Sequence, residues 1–137
     1  MKLLKFFMYT CLVSVLGSCT IQRQQNAVGD YNKKITLESG QSVTIGRNDN
    51  SVRIKVINIQ DNRCPKEVQC VWQGYVNVEF ELLTPENRKS AFALCLGSCE
   101  NINKGSKLNV VPGVKTFRIT LFEVGENNTV VFSVKRI

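Results

Sequence analysis

The sequence predicts an all-β domain, an antiparallel sandwich or flattened barrel of seven to eight short strands. Three observations lead there. Apolar residues recur at every second position in short runs, which is the period of a half-buried strand. Turn-forming residues separate those runs at close intervals. No segment carries a helical period longer than two turns.

Taken in order, Ile35 and Leu37 alternate before the turn Glu38-Ser39-Gly40-Gln41, and Val43 and Ile45 follow it. Val52, Ile54 and Val56 continue the pattern, but Ile57 and Ile59 fall on the opposite parity. Such a switch predicts a bulge, or a strand buried on both faces. The cleanest alternation is Val76, Val78, Phe80 and Leu82, with Asn77, Glu79 and Glu81 on the other face. Phe92, Leu94 and Leu96 come next, then Leu108 and Val110. Phe117, Ile119 and Leu121 precede the turn GENN, and Val130, Phe132 and Val134 form the last run.

Ahead of these runs, MKLLKFFMYTCLVSVLGSC places Lys2 and Lys5 before an apolar stretch from Phe6 to Leu16. That stretch is shorter than the roughly 20 residues a spanning helix needs. A basic start, a short apolar middle and small residues before a break describe a cleaved export signal over residues 1–18. Leu16-Gly17-Ser18-Cys19 resembles a bacterial lipobox, which implies that Cys19 receives a diacylglycerol. Acyl chains contribute about 0.8 kcal/mol per buried methylene, so two or three of them anchor a protein stably. Residues 19–33, polar and rich in Gln and Asn, read as a lipidated flexible tether. Residues 34–137 read as a single β-domain. Thr20, where inner-membrane retention uses aspartate, points by resemblance to the outer membrane, with the domain facing the periplasm.

Loss of residues 1–18 leaves 119 of 137 residues, with 16 basic against 11 acidic and a net charge of +5. The basic residues are scattered, without the block of like charge that marks a nucleic-acid partner. No histidine occurs anywhere, which excludes His-based triads and the usual neutral-pH general base. Glu79 and Glu81 share a strand face about 7 Å apart, but a solvated outer face accounts for them. No catalytic residue, metal site or cofactor is expected.

Cys11 leaves with the signal and Cys19 takes lipid, so Cys64, Cys70, Cys95 and Cys99 remain. An even number in an exported domain points to disulfides, with three connectivities available. Spacings of C-x5-C and C-x3-C do not match the C-x2-C pattern of structural zinc. Chain entropy alone favours crossed pairing, because longer loops gain more. Cys64 and Cys70 flank a loop between two strands, however, and a bridge there would clamp neighbouring strand ends, which favours local pairs.

The stretch DNRCPKEVQCVWQG, residues 61–74, resembles the D-S-R-C-P-x-x-V-x-C-V-W-A-G signature of a family of small exported bacterial proteins and lipoproteins with no established activity. Asp61, Arg63, Cys64, Pro65, Val68, Cys70, Val71, Trp72 and Gly74 match it; Asn62 and Gln73 depart. FEVGENN, residues 122–128, also departs from the family's Pro-containing segment. Because the signature includes Cys64 and Cys70 without Cys95 and Cys99, the resemblance implies that each pair closes on itself.

Within the stretch, Pro65 stiffens the loop, Gly74 permits a bend or bulge, and Asp61 and Arg63 bond each other or loop backbone. Trp72 is expected to stack on the disulfide. The competing expectation is that Arg63, Trp72 and Tyr75 form a binding face. Function then falls into two classes. One is a membrane-displayed, non-enzymatic module that binds or inhibits a protein, peptide or glycan; the other is a structural envelope lipoprotein with no specific ligand.

Overall fold

The computed structural model describes residues 27–100 and 105–137. Residues 1–18, read above as an export signal, and Cys19 lie outside them. Nine strands occur among the described residues: β1 (Ala27–Gly29), β2 (Lys34–Glu38), β3 (Ser42–Ile45), β4 (Val52–Asp61), β5 (Tyr75–Leu83), β6 (Lys89–Gly97), β7 (Lys107–Val110), β8 (Phe117–Val124) and β9 (Thr129–Arg136). They form two sheets, one in the order β1-β3-β4-β5-β6 and one in the order β2-β9-β8-β7. The architecture is an open sandwich, not a closed barrel.

The alternation seen in the sequence becomes the inner faces of the two sheets. Val76, Val78, Phe80 and Leu82 of β5 are buried, as are Phe117, Ile119 and Leu121 of β8 and Val130, Phe132 and Val134 of β9. Phe80 stacks on Phe92 of the adjacent strand with ring centroids 5.3 Å apart, and meets Phe132 of the opposite sheet edge-on at 5.4 Å. Such aromatic contacts add about 0.5–1.5 kcal/mol to the burial of the rings themselves.

The parity switch in β4 is a bulge. Val56 pairs with Phe80 while Asn58 pairs with Glu79, so Ile57 is the extra residue and Ile59 returns to the register of Val78. Ile57 is left half exposed.

The segment read as tether is partly domain. Ala27–Gly29 pairs in parallel with Val43–Ile45, and Tyr31 stacks on Phe117 at 6.3 Å. The Tyr31 hydroxyl donates to the Asn50 carbonyl at 2.5 Å, and the Asn32 amide to the Val134 carbonyl at 2.8 Å. Three residues are too few to show a period, so only the non-local pairing defines β1.

Candidate functional site

Loop 62–74 joins β4 to β5 at one end of the sandwich. Its limbs approach closely where the Asn62 amide donates to the Tyr75 carbonyl at 2.8 Å. Gly74 makes that approach possible: a Cβ there would lie 2.3 Å from the Asn62 carbonyl oxygen and 2.4 Å from the Arg63 Cα. The glycine thus serves a close crossing of backbones in place of the expected bend.

Both disulfides close locally. Cys64 bonds Cys70 with Cα atoms 5.9 Å apart, and Cys95 bonds Cys99 at 6.0 Å. The first braces the tip of loop 62–74, and the Val68 amide donates to the Pro65 carbonyl within the ring. Exchange of Cys64 and Cys70 for alanine is expected to lower stability by roughly 2 kcal/mol, the entropy of closing so small a loop. Urea unfolding followed by circular dichroism measures it.

Asp61 and Arg63 form the pair the sequence implied. Arg63 Nε and Nη2 donate to the two Asp61 carboxylate oxygens at 2.8 and 2.5 Å. Arg63 Nη1 then reaches the Val124 carbonyl of β8 at 2.8 Å, so the guanidinium ties the loop to the opposite sheet. A second tie links Lys66 to Glu126 in the β8–β9 turn. Hydrogen bonding from Arg63 holds the Asp61 carboxyl below its ordinary 3.8, against the opposing effect of burial. A lowered carboxylate pKa contributes stability above that ordinary value and loses it as pH falls through the folded value. Asp61→Asn is therefore expected to flatten the acid limb of the stability curve, measured as urea midpoint against pH. With both side chains more than a third exposed, the effect stays at or below about 1 kcal/mol.

Trp72 is not a buried anchor. It is 64% exposed, beside Val71 at 97% and Val68 at 58%. Residues 64–70 are exposed or half buried and none belongs to the core, so the loop around Trp72 lies at the surface. Trp72 is the only tryptophan. Native emission near that of free indole is expected, with little further shift on unfolding; a blue-shifted native spectrum contradicts the exposure.

Of the three residues expected to form a binding face, Arg63 and Trp72 are exposed and Tyr75 is half buried. Arg63 reaches toward the four-stranded sheet, while Tyr75 has the parity of Asn77 and Glu79 on the outer face of β5. The exposed apolar residues of the loop are Val68, Val71 and Trp72. The two valines lie inside the cysteine-bearing stretch, but a sequence of that spacing does not show which way its loop turns. Glu81 faces Lys89 at 3.6 Å on the outer face, a solvated ion pair. Asn77, on that same face, is buried, with its amide donating to Gln60 Oε1 at 3.3 Å. Cys95 is its cross-strand partner, so the second disulfide sits over this part of the sheet. In comparisons with family models, curated proteins and solved structures, nothing matches the chain.

Proposed function

We propose that the chain is a lipid-anchored domain of the bacterial envelope, facing the periplasm, and a non-enzymatic binding module whose contact element is loop 62–74. One observation carries the reading. Val68, Val71 and Trp72 are all exposed on a loop held by a disulfide, an Asp–Arg pair and a tie to the opposite sheet. Apolar side chains that a fold holds rigidly in water form a surface that pays little ordering entropy on binding. Tryptophan is the residue most enriched among those that dominate binding energy. The absence of histidine from the sequence and the ion-paired setting of Glu81 support a role without catalysis.

A photo-crosslinking amino acid at position 72 of the full chain tests this in cells, with position 114 at the other end of the sandwich as the control. Adducts to protein, glycan or lipid formed at 72 and not at 114 support the contact element. Equal or absent adducts at both positions overturn it. Cys19→Ala tests the anchor separately: palmitate labelling and membrane association should both be lost.

A further inference from the structure

The direction in which the chain joins the sandwich bears on what loop 62–74 touches. Strand β1 is parallel to β3, with Ala27 opposite Val43, and Val43 is opposite Ile54 of β4. From that level β4 runs on to Asp61, where loop 62–74 begins. Because β3 and β4 are antiparallel, the backward continuation of β1 from Ala27 points the same way as β4, toward the loop. The seven residue steps from Ile54 to Asp61 cover about 24 Å of strand. The eight residues from Cys19 to Asn26 reach at most about 26–29 Å. An anchor at Cys19 therefore lies within chain reach of the end that carries Val68, Val71 and Trp72.

From this we infer that the partner of the loop is the bilayer that holds the anchor, with Val71 and Trp72 seated at the lipid–water interface. The inference rests on lipidation of Cys19 and on loop 62–74 being the contact element. Residue chemistry agrees with it. Indole has an apolar body and one N–H donor, and it concentrates at the headgroup level of membranes. Asp61, Arg63, Lys66 and Glu67 give residues 61–74 no net charge, so the contact is apolar and insensitive to salt. The tether makes insertion intramolecular, and a loop too weak to bind vesicles from solution still stays inserted once the anchor is in place. The opposite end of the sandwich is a poorer match. Val114 is fully exposed there, but Lys115 is drawn to the Asp49 carbonyl at 2.6 Å and Arg136 to Asn50 at 2.9 Å. The chain also enters β1 from the side of loop 62–74 and runs toward the turns at that opposite end.

The test uses the full acylated chain reconstituted into phosphatidylcholine vesicles, with and without bromine on the acyl chains. Trp72 emission should shift to the blue relative to the chain in detergent-free buffer, and should be lost in the brominated vesicles at low and high salt alike. Val71→Glu should restore emission while the anchored chain still floats with the vesicles. Val114→Glu should change neither. A chain that floats but shows equal emission in both kinds of vesicle overturns the lipid contact and leaves the anchor standing. A chain that does not float overturns the anchor and this inference with it. Protein adducts from position 72, without quenching by bromolipid, overturn the lipid partner alone and keep loop 62–74 as a contact element for a protein.

Discussion

Phe80→Ala is expected to remove about 3–5 kcal/mol of stability, the usual result of emptying a buried phenylalanine site. Domains of this kind hold roughly 5–15 kcal/mol in all, so the variant should unfold at a much lower urea concentration or fail to accumulate. Position in the sandwich sets the size. The ring is buried, stacked on Phe92 of its own sheet and set edge-on to Phe132 of the other. Truncation therefore removes contacts both within a sheet and between the two. Strands on both sides are fixed by their ladders and cannot close the gap. Phe80→Leu keeps most of the volume and should cost less, about 1–3 kcal/mol. Far-ultraviolet circular dichroism is the suitable probe, because an exposed Trp72 reports little of the core.

Gly74→Ala should be the second severe change, although it adds one methyl group. The new Cβ would fall 2.3 Å from the Asn62 carbonyl oxygen and 2.4 Å from the Arg63 Cα, and both are backbone atoms that a rotamer change cannot move. The limbs of loop 62–74 would have to separate, breaking the Asn62–Tyr75 hydrogen bond and displacing Arg63 from Val124. A loss of about 1–3 kcal/mol or more is expected. Gly105→Ala is the matched control, since nothing lies within 4 Å of a Cβ there. Near-equal urea midpoints for the two variants would contradict the close-crossing role.

The β-architecture was legible because each long strand has one buried face, and period-2 burial writes itself into residue order. Even the β4 bulge could be read, since Ile59 had to change parity for the strand to keep its inner face past the extra residue. β1 could not, because Ala27-Val28-Gly29 owes its conformation to β3, with partners sixteen positions away. The burial of Asn77 was hidden for a similar reason. Parity puts it on the outer face beside Glu79, but the Cys95–Cys99 bridge and the partnering of Cys95 with Asn77 depend on a strand eighteen positions on. At the candidate site, the bonding of Asp61 to Arg63 followed from two residues of opposite charge in one short loop. The exposure of Trp72 did not follow, because a tryptophan beside a cystine looks the same in sequence whether the loop folds inward or outward.

The outermost strands bear on how such domains behave when crowded together. An uncovered sheet margin invites a neighbouring chain to add itself as a further strand. Three of the four margins are too short to template much: β1 has three residues, β7 four and β2 five. Only β6, with nine, is long. There the Cys95 amide already donates to the Gly105 carbonyl at 3.0 Å, and the Cys95–Cys99 bridge holds the departing chain against the strand. That second cystine thus keeps part of the long β6 margin covered. Reducing it should turn a dispersed population into one that oligomerises through β6, a change in colloidal behaviour larger than the loss in folding energy alone would produce.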